Sequence, residues 1–314
     1  MIRLEGLSKR FGDNQVLRDV SFEIPEGCLY GLIGPGASGK SVLLKHVAGL
    51  MKPDAGRIIV NDRDVTAMTE LELQQFRGQF GMLFQNYALF DYLTVGENIA
   101  FPLRRLFDLE EAEIRERVAE RLRSVSLPGF EDRLCAGLSG GQKKRVGVAR
   151  ATVTRADIVL YDEPASGLDP RARVEIKEIL RELARMGKTI LISSHILSEL
   201  RELCTKVGII EQGSLLFSGP LKEAIARVRK GDVVRVRLRE GSEGAAALLA
   251  EHEFVSAAAL DEEGFVEVRL REQINDYTFV PEFLVTKGYR ILELREEDVD
   301  LEDAFMKLTR GQVS

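Results

Sequence analysis

The sequence predicts an α/β protein in two parts: a phosphate-binding core with a mixed sheet, an antiparallel flank and a helical subdomain, then a small α+β domain. Residues 34–41 read G-P-G-A-S-G-K-S, between a short apolar run, L-Y-G-L-I, and a helical stretch at 42–48 closed by Gly49. Residues 158–161 and 189–193 are further short apolar runs separated by a striped helical stretch, the pattern of buried strands with a covering helix. Beyond residue 231, Val234, Val236 and Leu238 alternate with Arg235, Arg237 and Arg239, and Val266, Val268 and Leu270 repeat the period of two, so a second sheet follows.

At 314 residues the chain accommodates two domains, and 45% hydrophobic with 30% charged residues describes a globular composition. The net charge of -6 argues against a nucleic-acid partner, because binders of a phosphate backbone carry a basic face. Cys28, Cys135 and Cys204 are odd in number and far apart, which suggests neither a disulfide framework nor a zinc site. No run of 18 apolar residues occurs and Met1 leads straight into a strand-like I-R-L-E, so neither a spanning helix nor a signal peptide is expected. Any membrane role is then one of docking.

In chain order, residues 2–24 alternate in short pieces and turn at Pro25-Glu26-Gly27. Phe11 is expected in a loop between these pieces, either tucked into the local core or free to stack on a purine. The loop of Gly34, Pro35, Gly36, Ala37, Ser38 and Gly39 fits G-x-x-x-x-G-K-[ST]; its small residues let backbone amides face phosphates, with a helix N-terminus behind them. Lys40 supplies a point charge to the β and γ phosphates, and Ser41 a magnesium ligand. Ala37 stays small but is strained if the loop needs positive φ there.

Gln85 ends an apolar strand and reads either as a surface amide or as a metal or water contact. Asp108 is an expected N-cap for a helix striped by Ile114, Val118, Leu122 and Val125. At L-S-G-G-Q, from Leu138 to Gln142, Ser139 caps a helix whose first turn Gly140 and Gly141 open with bare amides, either a second candidate anion site or a simple cap with a glycine-rich entry. The strand at 158–161 ends in Asp162-Glu163, where a parallel sheet meets its ligand crevice; one carboxylate can serve magnesium and the other a water, or both can form a solvated acidic turn. Asp169-Pro170 is an N-cap with an N1 proline, and the helix it starts carries Ile176, Ile179, Leu180 and Leu183. His195 emerges past the strand at 189–193, on the edge of Asp162 and Glu163. A helix is expected from Gly219-Pro220 to a linker near 230–231. The remainder reads strand-helix-strand-strand-helix-strand, with helices near 243–252 and 273–287 and a closing helix at 301–308.

In this order the motifs resemble the ATP-binding subunits of ABC transporters over residues 1–220. The resemblance implies a P-loop NTPase fold of ABC type, with a helical subdomain at about 86–153, a helix and linker at 221–231 and an α+β accessory domain at 232–314. By it, Phe11 would stack on adenine; Lys40, Ser41, Gln85 and Asp162 would hold phosphates and Mg2+; Glu163 would act on the attacking water. His195 would contact the γ-phosphate and Asp169 would signal across a dimer. The stretch from Ser139 to Gln142 would clamp ATP bound to the Gly34 loop of a second subunit, in a homodimer or with a paired ATPase, and hydrolysis would move a transmembrane permease. Residues 88–103 resemble Mla-type lipid transporter ATPases, whereas S-S-H-I-L-S-E-L at 193–200 and L-E-D-A-F near 301 resemble ABC-2 type exporters with an accessory domain. The implied protein is an ATPase on the cytoplasmic, inner face of the cell membrane, moving a lipid or other amphipathic cargo. Two other classes fit part of the pattern: a soluble ABC-type clamp, opposed by the short spacing from Gln85 to residue 138, and a non-hydrolysing regulatory subunit, opposed by Glu163 and His195.

Overall fold

The computed structural model describes residues 1–196, 200–228, 233–271, 274 and 276–296. The chain forms two compact units that divide between Leu221 and Lys222. The sequence expectations for the linker at 230–231, the closing helix at 301–308 and part of the 193–200 stretch lie outside the described residues.

In the first unit, β1 (Ile2–Phe11), β2 (Asn14–Ile24), β4 (Ala55–Val60) and β5 (Arg63–Asp64) form an antiparallel sheet in the order β2-β1-β4-β5. The second sheet contains β3 (Leu29–Ile33), β6 (Phe80–Leu83), β7 (Ile158–Asp162), β8 (Thr189–Ser194), β9 (Lys206–Glu211) and β10 (Ser214–Pro220), ordered β10-β9-β3-β8-β7-β6. Its strands are parallel except for β10 against β9. Every residue of β3, β7 and β8 is buried, which is why these strands read as unbroken apolar runs rather than alternations. Ile33 pairs with Ser194 and Asp162 with Ser193, so the loop after β3, the Asp162-Glu163 corner and His195 leave the sheet on one edge. Ser41 and Asp162, 121 positions apart in sequence, thereby become neighbours.

Behind that edge lies α1 (Lys40–Val47), whose buried Leu43, Leu44 and Val47 join the core that both sheets share. His46 on the same helix is fully buried, and its ring Nδ1 lies 2.7 Å from the Val42 carbonyl. Burial pushes its pKa below the ordinary 6.5. The folded state therefore rejects a proton that the unfolded chain accepts near pH 6.5, so this contribution to stability is intact above that pH and is lost as pH falls towards the folded value. A His46→Leu chain is expected to lose less of its thermal midpoint than the parent between about pH 7.5 and about pH 5.5, measured by circular dichroism melts.

α2 (Glu70–Arg77) begins at a Thr69/Glu72 capping box. The helical subdomain comprises α3 (Val95–Leu106), α4 (Glu111–Ser124) and α5 (Gly140–Thr152). Thr94 and Glu97 form a capping box at α3, and Ser139 and Gln142 form another at α5. Fully buried Asn98 binds the Phe90 backbone through both ends of its amide, at 2.9 and 3.0 Å, and so shapes the loop before α3. Asp108 is not the cap of α4: the N-cap position is Glu110, and Glu111 is drawn onto Arg104 at 2.8 Å, which starts the helix later. The stripe of Ile114, Val118 and Leu122 faces inward as its spacing requires.

Asp169 caps α6 (Pro170–Arg185), accepting from the Ala172 amide at 2.9 Å. Ile176, Leu180 and Leu183 are buried while Ile179 stays half-exposed. Gly219 and Pro220 end β10 rather than start a helix, because they pair with Val207 and Lys206; α7 (Leu221–Val228) begins one residue later.

The second unit runs β11 (Val233–Leu238), α8 (Ser242–Ala250), β12 (Val255–Leu260), β13 (Val266–Leu270), α9 (Phe279–Thr286) and β14 (Ile291–Glu296), a β-α-β-β-α-β order with antiparallel sheet β12-β13-β11-β14. Val234, Val236, Val266 and Val268 pack with Ala245, Leu249, Val280 and Leu284 from the two helices. α9 is shorter than the expected 273–287, because Asp276 accepts from both the amide and the hydroxyl of Thr278 and makes a turn where the helix would have begun.

Candidate functional site

The phosphate loop is built by close backbone approach. A Cβ on Gly34 would lie 2.3 Å from the Ile210 carbonyl oxygen, and Gly39 takes φ 103°, where a Cβ would lie 2.8 Å from Val16 O. Ala37 does adopt φ 60°, so the loop pays the strain its sequence suggested there. The turn after β9 is tied to the loop, Gly213 N–H donating to Ser38 O at 3.2 Å.

Lys40 is 6% exposed and folds over its own loop, Nζ donating to Gly34 O at 2.7 Å and Pro35 O at 2.9 Å, with Glu163 Oε1 at 3.4 Å. Burial pushes its ammonium pKa below the ordinary lysine value, against the opposing pull of Glu163 and Asp162. Asp162 Oδ1 accepts from Ser41 Oγ at 2.9 Å and from Ser193 Oγ at 2.7 Å. Glu163 is left-handed, φ 52°, with its amide bonded to Ser193 Oγ and O and its Oε2 2.7 Å from His195 Nδ1. One carboxylate thus spans from the loop lysine to the histidine.

A cavity of about 300 Å³ at this edge is lined by residues 36–42 with Asn14, Val16, Gln85 and Glu163. Ser38 Oγ is buried in it and has no hydrogen-bond partner among the described residues, an orphan donor where a phosphate oxygen would sit. The donors suit Mg2+ as well: Ser41, Asp162 and the Gln85 amide offer oxygen. No cluster of three or more His, Cys, Asp or Glu suited to a metal occurs among the described residues, so phosphate oxygens and water would complete the shell.

The structure brings together the Gly34 loop, Lys40, Ser41, Gln85, Asp162, Glu163 and His195. It does not bring in Phe11, which closes β1 instead of lying in a loop, pairs with Asn14 and is 46% exposed under Lys9. Ser139, Gly140, Gly141, Gln142 and Asp169 do not line the cavity of their own chain either. Sequence reasoning missed Asn14 and Val16, which the β1-β2 hairpin carries to the loop, and Ser193, whose only signal is a hydroxyl ending an apolar strand. Lys144 was also unassigned. All three cysteines are free and buried.

A glycine-rich strand-to-helix loop with its lysine, facing an acidic pair at the end of a neighbouring parallel strand, defines a phosphate-loop NTPase. The family profile described as ABC transporter matches residues 17–166. The methionine import ATP-binding protein MetN of Clostridioides difficile (strain 630) is 36% identical over 232 residues, covering 74% of this chain and 72% of its own length. MetN of Desulfitobacterium hafniense (strain Y51) is 38% identical over 227 residues, 71% of this chain and 66% of that protein. The probable ribonucleotide transport ATP-binding protein mkl of Mycobacterium leprae (strain TN) is 39% identical over 220 residues, 70% and 63%. The match spans about two thirds of these relatives' length. Among solved structures, the dimeric post-hydrolysis state of the ATP-binding cassette MJ0796 bound to ADP and Pi superposes with a TM-score of 0.67 at 29% identity, covering 70% of this chain and 99% of that one. The chain belongs to the ABC transporter family, among its ATP-hydrolysing, ATP-binding subunits.

Proposed function

We propose that this chain is the ATP-hydrolysing motor subunit of a membrane transporter. The observation that carries this is Glu163, held between Lys40 and His195 at the lip of the phosphate cradle, where it would reach a water attacking a γ-phosphate. The loop amides and Lys40 hold the phosphates, while Ser41, Asp162 and Gln85 would hold Mg2+. When bound, that ion neutralises phosphate charge. ATP draws Lys40 off Glu163 and onto its phosphates, which frees the carboxylate for water; His195 orients it from the other side.

The amides of Gly140 and Gly141, which the Ser139/Gln142 capping box leaves at the helix N-terminus, stay outside their own cavity, which supports a partner subunit's nucleotide as their ligand and a head-to-tail dimer as the active form. Phe11 takes the adenine role only if a nucleotide reaches past Asn14, and Asp169 acts across that dimer. Residues 232–314 serve that motor as an accessory, regulatory domain.

Among the described residues no helix is long and apolar enough to cross a membrane, so a transmembrane partner must be docked. An apolar groove of about 370 Å³ lies over Phe84, Ala88, Phe90, Phe101 and Pro102, within the region that resembles Mla-type ATPases. Exposed Tyr92 and half-exposed Phe101 pack tilted against Phe90 at its rim, and Arg150 donates to the carbonyls of Tyr87 and Ala88 at 2.6 Å. A helix of the permease fits this surface. The relatives are named for methionine import and ribonucleotide transport; a lipid or amphipathic cargo rests on the Mla-type resemblance of residues 41–46 and 88–103.

Tagged chain solubilised from native membranes with ATP is expected to bring down an integral membrane permease, and Phe101→Asp to abolish that recovery without loss of the isolated subunit's turnover. A dimer recovered with no membrane protein would overturn the motor reading.

A further inference from the structure

One buried cation at the site is not used by the reaction as described. Lys144 lies on α5, five residues past the Ser139 cap, and is 1% exposed. Its Nζ donates to Glu163 O at 2.9 Å and Ser166 O at 2.7 Å, and stands 5.5 Å from the centre of the Tyr87 ring. Three segments meet there: the loop two residues beyond Gln85, the corner after β7, and the S-G-L-D run. We propose that Lys144 is the positioning residue for Glu163, fixing the backbone turn that aims its carboxylate.

The physical argument starts from the left-handed φ of Glu163, which a β-carbon resists and which persists only where surroundings over-determine it. Ser193 ties the peptide on its N–H side, through Oγ at 3.1 Å and O at 3.2 Å. Lys144 ties it on the carbonyl side. A charged donor bonds a carbonyl more strongly than a neutral one, and two carbonyls with a ring face compensate the ammonium for lost water. With both flanks held, the Cα–Cβ bond is aimed at the cradle, and Lys40 and His195 hold the carboxylate at its end. The helix that begins at Ser139 and the residue that acts on water are joined through this one ammonium. A shift of α5 would turn the carboxylate.

The inference rests on reading Glu163 as the residue acting on water. The full chain is compared as wild type, Lys144→Met and Lys144→Gln, by phosphate release for kcat and KM, by a fluorescent ATP analogue for affinity, and by thermal melts. Misplacing the carboxylate is expected to lower kcat of Lys144→Met roughly 10²-fold with KM and affinity within about twofold, since a small misplacement of a reacting group has that effect. Lys144→Gln keeps two N–H donors and is expected to regain at least about a tenth of wild-type kcat. A folded Lys144→Met with kcat within about threefold of wild type overturns the proposal, as does a glutamine variant no better than the methionine one, or an equal fall in ATP affinity. If the methionine variant does not fold, the glutamine variant decides: turnover below about a tenth with ATP binding intact overturns it. A wild-type chain that binds ATP yet releases no phosphate even with its permease would reject the ATPase reading instead.

Discussion

Glu163→Gln is expected to lower ATP turnover roughly 10²–10⁴-fold, the range for loss of a general base, while ATP-dependent dimers persist. The amide keeps the shape of the carboxylate and still bonds His195, so the cradle, the corner and the Ser139 helix are unchanged; what disappears is the ability to take a proton from water. In the nucleotide-free chain the same change removes an ion pair between two groups that are 6% and 8% exposed. Phosphate release measures the first effect and size-exclusion chromatography with ATP the second. Turnover equal to wild type would remove Glu163 from the mechanism, and loss of dimers together with turnover would make its role structural.

Lys40→Met is expected to abolish ATP-induced stabilisation and to lower residual turnover by roughly 10²–10³-fold, as when one preorganised donor to transition-state charge is removed. In the empty chain the change removes one partner of a buried ion pair. Burial holds the Lys40 ammonium pKa down, but losing the lysine leaves the Glu163 carboxylate, 8% exposed, with His195 as its remaining neighbour and takes the donor from the Gly34 and Pro35 carbonyls. The nucleotide-free thermal midpoint should therefore fall. The wild type at a hundredfold excess of ATP over Kd gains about 2.7 kcal/mol, and the variant gains none. An unchanged or raised midpoint without ATP would show that desolvation of Lys40 outweighs its pairing with Glu163.

The legible parts of the site were those made by neighbours in sequence. The 34–41 loop, the Ser139 and Asp169 caps and the Asp162-Glu163 corner need only a strand, a turn and a helix start, and each can be recognised from a few adjacent residues. The β-α-β-β-α-β order of the second unit was legible for the same reason, since periods of two and 3.6 are local. At two places where reading failed, a competing local bond had intervened, Arg104 on Glu111 at the start of α4 and Asp276 on Thr278 before α9; at Gly219 and Pro220 strand pairing with β9 did so.

The sequence by itself determined that a phosphate-binding loop stands before a helix, that two carboxylates end a buried strand, and that a separate α+β unit follows. The tertiary structure decided which of these meet. The order β3-β8-β7 puts Ser193 between Ser41 and Glu163, the β1-β2 hairpin delivers Asn14 and Val16 to the phosphate loop, and α5 sends Lys144 into the back of the Glu163 turn. Strand order and helix seating come from packing surfaces far apart in the chain, and side-chain periodicity carries no record of which surface is opposite which.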